Sequence, residues 1–528
     1  MSQLLTKNTE VLIIGAGPTG LMMACQLAIH GVAFRIVDKN ESSSKASGAL
    51  IVQARTLEIF AQMGISAEAV KEGIIADNLN IRFNGKKVAG VSLKNIGADL
   101  SPFPFLLMLE QSKTEKLLLK FIGERGHTVE RATQFKSFTQ DNEGVTSVII
   151  LPDKSEQTVC SKYIIAADGA KSSIRQSLNI PFNGKLYPKP IFIVDCKATT
   201  DFAPDEINFL FTQSYVAGFF PLKNFRWRID SNLPKALEKM DFISFDDVAK
   251  DFSTWNKAKI TFQNLEWFSV THSQQKYASV VRVHNCFLAG DAAHVNTPVG
   301  SQGMNTGLQD AYNLAWKLSF VIKNKAKPDI LDTYSSERLA ISKGFGRYAD
   351  SVFKILTSRN MLVKIFRFFV LRVLLRLVFP VVESKIVFRL MFFKAISQIG
   401  IHYRKSILSY RETEDVFSPK APKPGDRLLY AGFLSDGRIT NSYEIMDGSC
   451  FNLFVFADAM PFEMKSLAEK YNLHVLLIKK LRKTNSIYEK LYIKESGYYL
   501  VRPDMHIALR SATLDTAHLI NYLQQHLI

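Results

Sequence analysis

The sequence predicts an α/β protein in which a parallel sheet flanked by helices is interrupted by an inserted, mostly antiparallel sheet. Three observations predict it. An apolar strand near residues 10–14 runs straight into a glycine-rich turn and a helix. Two later segments, 163–175 and 286–321, repeat the passage from buried strand to helix. Between them, residues 185–280 alternate apolar and polar positions with the period of two expected of half-buried strands.

The first segment reads as strand Glu10–Ile14, then Gly15-Ala16-Gly17-Pro18-Thr19-Gly20, a helix to about Ile29 with Gly31 as its C-cap, and a second strand Ala33–Val37 ending in Asp38. This is the Rossmann-like β-α-β dinucleotide fingerprint. Gly15 permits the tight turn, Gly17 lets a diphosphate approach the backbone, and Gly20 allows close helix–strand packing. The helix N-terminus offers N–H groups and a positive dipole end. Asp38 stands where an acid hydrogen-bonds ribose hydroxyls, and Pro18, Thr19 and Lys39 complete the candidate contacts. The motif leaves FAD and NAD(P) both open.

In the second segment, strand Tyr163–Ala167 ends at Asp168-Gly169, and a helix opens through Arg175. In the third, strand Cys286–Ala289 ends in Gly290-Asp291-Ala292-Ala293-His294. A loop with Pro298, Gly300 and Gly303 follows, then a helix from about Met304 to Val321. An acid at a strand's end suits a polyhydroxyl chain. A glycine-lined helix start at Met304-Asn305 suits backbone contact to a ring edge that gains negative charge.

With these three motifs in order, the chain resembles the flavoprotein aromatic hydroxylases, the single-component class typified by p-hydroxybenzoate and phenol hydroxylases. The match covers most of residues 8–350, and the G-D-A-A-H run with P-x-G-x-Q-G-M-N is its most specific part. The resemblance implies FAD held by Gly290, Asp291, Gly300, Gly303, Met304 and Asn305, with Asp168 and Arg175 touching both FAD and the pyridine nucleotide. It implies NADPH or NADH as co-substrate, O2 as oxidant, and transfer of oxygen to an aromatic ring through a flavin C4a-hydroperoxide. Gln53–Glu58 resembles the family's A-R-T-L-E helix start, placing Arg55 near the diphosphate or simply in packing. Ser47-Gly48 stands where many relatives have an arginine. Gln111 matches a family glutamine beside the cofactor, with Glu115 as a local partner.

Residues 185–280 then become a roof over the flavin. Phe209, Phe211, Tyr215, Phe219 and Phe220 are candidate pocket residues, each also readable as core. Pro298 is the candidate whose carbonyl approaches the substrate. Tyr215 and His272 are candidate proton acceptors, each also readable as a packed side chain.

The remaining features bound the answer. At roughly 100–200 residues per domain, 528 residues make two to four units. The expected division is an FAD domain at 1–180 and 281–350, a substrate sheet at 185–280, a basic hydrophobic helical segment at 351–410, a Pro/Lys linker at 411–427 and a last unit at 428–528. There Tyr499-Leu500-Val501-Arg502-Pro503-Asp504 resembles the closing strand of phenol-hydroxylase-type members and so implies a thioredoxin-like domain, here without C-x-x-C. The five cysteines are scattered, which excludes a zinc site or redox pair and fits a reduced, cytoplasmic protein. The N-terminus carries no signal peptide and no stretch of about 20 uncharged apolar residues exists. A net charge of +17 permits nucleic-acid or anionic-membrane contact, but no nucleic-acid motif accompanies it, so no nucleic-acid partner is expected.

Met361–Pro380 holds Lys364, Arg367, Arg372 and Arg376 among Phe, Leu and Val, and Pro380 is expected to stop the helix. The segment reads either as a helix packed on its own sheet or on a homodimer mate, or as a peripheral membrane contact. The function expected is hydroxylation of a small phenolic or other electron-rich aromatic compound. Three alternatives stay open: the same chemistry on a polyketide or antibiotic, the same chemistry on a membrane isoprenoid quinone precursor, and a non-catalytic FAD-holding scaffold. No second nucleotide fingerprint and no W-x-W-x-I-P segment appear, which disfavours two-nucleotide-domain disulfide reductases and flavin halogenases.

Overall fold

The computed structural model describes residues 7–43, 48–297, 302–358, 360–411, 417–435, 438–480 and 486–528. Strand β1 (Lys7–Ile14) leads through the glycine turn to helix α1 (Pro18–Ile29) and strand β2 (Phe34–Val37). Later come helix α2 (Gln111–Gly123), strand β3 (Glu156–Ala166) and the short helix α3 (Ser173–Ser177). β1 pairs in parallel with both β2 and β3, and β3 pairs in parallel with β9 (Cys286–Leu288). Strands buried on both faces read as continuous apolar runs, and the packing of α1 against helix α5 (Gln302–Ile322) covers one of those faces.

The insert is an eight-stranded sheet. Its long strands are β4 (Phe182–Thr200) and β8 (Ile260–Ala278), paired antiparallel, with β5 (Glu206–Phe211), β6 (Val216–Leu222) and β7 (Arg226–Asn232) beside them. The expected boundary at 185 misses one component. The hairpin Asn78–Phe83 and Lys86–Ser92, from the FAD-side chain, joins this sheet through parallel pairing with β5. Parallel pairing needs no adjacency in sequence, so local pattern could not reveal it.

Helix α4 (Phe245–Asn256), started by a capping box of Ser244 and Asp247, covers one face of the insert. Phe192, Phe219, Trp227, Ile229 and Phe252 form that core. Because strand side chains alternate, Arg226, Arg228 and Asp230 occupy the other face.

Helix α6 (Thr333–Thr357) is followed by helical residues 361–370, α7 (Leu371–Ser384) and α8 (Ile386–Ser397). Pro380 does not stop the helix as expected; it lies inside α7. Proline removes one backbone bond, and at an exposed position water replaces it.

The C-terminal unit is a mixed four-stranded sheet with order β11-β10-β12-β13, where β10 is Asn452–Phe456, β11 His474–Ile478, β12 Gly497–Val501 and β13 Ile507–Ser511. The segment expected as a linker is packed where it is described: Asp426 accepts from Arg404 Nε at 2.6 Å, and buried Arg427 donates to Glu58 Oε1 at 2.7 Å.

Candidate active site

Gly15 sits at φ +100°, and a Cβ there would lie 2.4 Å from the Ala167 carbonyl oxygen at the end of β3. A Cβ on Gly20 would lie 1.9 Å from the Gly15 carbonyl oxygen. Both positions therefore demand glycine. Gly17 differs, because a Cβ there would meet nothing within 4 Å. It is also the N-cap of α1 and supplies no side-chain cap, so the first-turn N–H groups face open space.

Thr19 joins two motifs: its Oγ1 lies 2.3 Å from where Cβ atoms of Gly290 and Gly307 would stand. Asp38 is buried, with Oδ2 accepting from Ala16 N at 2.7 Å and Oδ1 from Asn40 N at 2.8 Å; Lys39 is exposed. Gln111 Oε1 accepts from Ala49 N at 3.1 Å while its Nε2 donates to Glu115 Oε1 at 2.9 Å. That pair fixes the loop beside exposed Gly48; Ser47 lies outside the described residues.

Ser172 caps α3, accepting from Arg175 N at 3.1 Å. Asp168 Oδ2 braces its start by accepting from Ser173 N (2.7 Å) and Oγ (2.9 Å), yet Asp168 Oδ1 is buried with no partner among the described residues. Arg175 donates to the carbonyls of Ala292 (2.9 Å) and Ala170 (2.8 Å), clamping the second motif to the third. Asp291 is exposed but ringed by protein: burial raises its carboxyl above the ordinary value, with His294 opposing and Asp310 adding to the rise. An accessible acid that is nonetheless desolvated lies on the wall of a cleft. Asn305 ties the start of α5 to the 51–56 stretch, accepting from Gln53 N (3.0 Å) and Thr56 Oγ1 (2.8 Å) and donating to Ile51 O (2.8 Å). Gly303 has open space at its Cα and Met304 packs partly against the core. Pro298 and Gly300 lie outside the described residues.

Arg55 does not face this cleft. Its buried guanidinium donates to Glu58 Oε2 (3.1 Å) and to the Asp504 carbonyl (2.8 Å), so the diphosphate expectation gives way to the packing one. The A-R-T-L-E spacing placed the helix correctly but could not say that the C-terminal unit would cover it.

Asp310 and Arg338 went unnoticed in the sequence. Asp310 Oδ2 accepts from Gly290 N at 3.0 Å and meets His294 Nε2 at 2.6 Å, while Oδ1 accepts from Arg338 Nε at 2.7 Å. Burial alone would raise this carboxyl, but His294 and Arg338 outweigh it and hold it below the ordinary value. The available signal was the single acid of the helix Gln302–Ile322, which must be paired to be buried.

On the open face of the insert, Arg228 forms a bidentate pair with Asp195 (2.7 and 2.6 Å) and lies over the Trp267 ring. Arg226 reaches Glu110, at the start of α2, at 2.6 Å, so this face meets the FAD-side chain. Phe209 and Phe220 pack edge to face at 5.7 Å above Gly218, whose missing side chain makes room for them. Asp230 is half-buried beside them, with Oδ1 lacking a partner among the described residues. Burial pushes it up to about 6, Arg228 opposing and Asp195 assisting. Phe219 packs under α4, on the opposite face, whereas Phe211 shares the face of Phe209 but is buried at the strand's end, stacked on Phe83 at 5.1 Å. Tyr215 stacks on Trp255 of α4, and His272 is exposed on the face that α4 covers, so the structure brings neither to the cleft. Residues His294–Val295, just past Asp291, pair with Lys276–Tyr277 of β8 and lock the two walls together.

An open, uncapped helix start, an orphaned buried acceptor at Asp168 and a cleft acid at Asp291 fit an extended dinucleotide. Together with the inserted sheet they define a flavoprotein. The chain belongs to the FAD binding domain family, whose model matches residues 8–348. It is 30% identical over 350 residues to pentachlorophenol 4-monooxygenase of Sphingobium chlorophenolicum, covering 64% of this chain and 63% of that protein. It is 29% identical over 511 residues to YhjG of Bacillus subtilis, described as an uncharacterized aromatic compound monooxygenase, covering 94% and 93%. In fold it matches aklavinone-11 hydroxylase, solved with FAD and aklavinone, at TM-score 0.80 and 22% identity over 98% of each chain. The pentachlorophenol relative is thus matched over less than two thirds of its length.

Proposed function

We propose that this protein is an FAD-dependent, NAD(P)H-consuming monooxygenase that hydroxylates a phenolic or other electron-rich aromatic compound. The observation that carries the reading is the pairing of His294–Val295, just past the Gly290–Asp291 turn, with β8 of the inserted sheet, whose open face carries Phe209, Phe220 and Trp267. The names of the two curated relatives and the ternary complex of the solved neighbour support the same chemistry. FAD, when bound, would supply the redox chemistry between NAD(P)H and O2.

The chain's own residues do the rest. Gly17 and the α1 amides would receive the diphosphate, Asp291 would accept from the ribityl hydroxyls, and Asp168 would offer Oδ1 to a ligand donor. The Asp310–His294–Arg338 network is a positioning device that fixes the turn presenting Asp291. The aromatic wall receives the ring and excludes water. In this reading the C-terminal thioredoxin-like unit is structural or dimer-forming, since residues 428–528 hold the one cysteine Cys450 and no C-x-x-C. We place the enzyme in the cytoplasm, with a second copy of the chain or a membrane surface as partner at 361–380. Among the described residues no helix is long and apolar enough to cross a membrane.

The test is the anaerobic bleaching of bound flavin by NADPH and NADH, with and without phenols, quinone precursors and polyketides, followed by product analysis. One compound that accelerates bleaching and returns hydroxylated supports the proposal and names the class. Flavin that neither nucleotide reduces overturns it.

A further inference from the structure

Of the 27 large hydrophobic side chains exposed among the described residues, 15 fall within residues 361–391. They are not scattered. From Met361 to Val381 they recur as adjacent pairs every fourth residue, Leu362, Phe366, Val370 and Leu374 in one row and Phe369 and Val373 in the next. At 1.5 Å per residue this stripe runs roughly 30 Å along the helix. It is not a core face turned outward, because the core face is separately filled: Phe368, Leu375, Phe379 and Val382 pack inward on the substrate sheet and its neighbours.

We propose that this outward face docks on an anionic lipid bilayer, lying in the interface plane. Charge argues for that occupant. Arg372, Arg376, Lys385 and Lys394 are exposed around the stripe, and Glu383 is the one acid between 361 and 397. Apolar side chains flanked by cations suit acyl chains under phosphate headgroups. A second copy suits it poorly. A two-fold contact sets the patch against itself, bringing arginines onto arginines with almost no acid to answer them. The net charge of +17 works in the same direction, drawing the whole chain towards an anionic surface. The inference goes beyond the proposed activity and needs no turnover to test.

Full-length, FAD-loaded protein would be floated with vesicles of phosphatidylcholine containing phosphatidylglycerol, and with phosphatidylcholine alone, at low and high salt. Two double variants accompany it, Arg372→Glu with Arg376→Glu and Phe369→Ser with Val373→Ser, each checked for flavin content and thermal unfolding. Their exposed positions leave folding intact. The expected result is flotation with the anionic vesicles. It falls at least about tenfold on neutral vesicles and in the arginine variant, and falls also in the apolar variant. No flotation with anionic vesicles at low salt overturns the proposal. So does flotation that both variants leave unchanged, or a stable dimer that the apolar variant dissociates while vesicle binding is absent.

Discussion

Asp230 shows what a buried carboxyl oxygen without a hydrogen-bond partner among the described residues costs. Its neighbour Arg228 is committed to Asp195 by two short hydrogen bonds and cannot neutralise it fully, so burial keeps the proton on to about pH 6. An acid raised in the folded state lends stability that is complete below its unfolded pKa and is lost as pH rises through 6. Asp230→Asn should therefore gain stability relative to the parent between about pH 4 and 7. The gain is on the order of 1–2 kcal/mol after allowing for partial exposure, and chemical denaturation across that range checks it. Asp310 is the opposite case. Asp310→Ala strands the buried Arg338 and His294, and a loss of about 3–5 kcal/mol is expected, with flavin released at lower temperature because the Gly290 turn loses its anchor. Neither role was legible in the sequence. A motif announces residues by spacing, whereas Asp310 is defined by partners 16 to 28 positions away and Asp230 by an arginine committed to an acid 33 positions from it.

The glycine turn is the element whose geometry followed most directly from sequence. A G-x-G-x-x-G between strand and helix leaves few conformations, and the close approaches at Gly15 and Gly20 are the ones that spacing demands. Gly20→Ala should accordingly weaken FAD retention by at least about tenfold, equal to 1.4 kcal/mol or more, read by equilibrium dialysis of the flavin. Gly17→Ala has room for its methyl in the protein, so its effect should appear only in cofactor affinity and not in the stability of the flavin-free chain. The inserted sheet was legible as strands but not as faces. The strand pattern marked Phe209, Phe211, Phe219 and Phe220 alike as candidates; stacking on Phe83 buries Phe211 on the face it shares with Phe209, and the position of α4 takes Phe219 to the core. His272 and Tyr215 fell on the covered side for the same reason. Pro380 marks the limit of local rules, since a helix already packed on a sheet tolerates one missing backbone bond.

Across the whole molecule, the turn between β12 and β13 plugs into the FAD side. Arg502 donates to both oxygens of Glu337 at 2.6 and 2.9 Å, Lys317 donates to Glu337 Oε2 at 2.7 Å, and the Tyr312 hydroxyl reaches the Pro503 carbonyl at 3.1 Å. These groups are buried, and burial holds Lys317 down to about 8 despite Glu337. Arg502→Met should cost about 3–5 kcal/mol, because it leaves Glu337 with a single cation. Unfolding should then broaden or split as the C-terminal unit loosens first, which calorimetry detects. The order of the segments was visible in the sequence, but their welding was not, because a joint made of single charged residues from distant stretches carries no local pattern.

That joint also sets a clock. Arg55 is bonded to the Asp504 carbonyl across 449 residues. At roughly 5–20 residues per second, a ribosome needs on the order of 20–90 s to bring the second after the first. For that interval the guanidinium that ends in the interior is held by water, and the helix carrying it waits with one flank unsealed. The early half of the fold emerges first and is finished last.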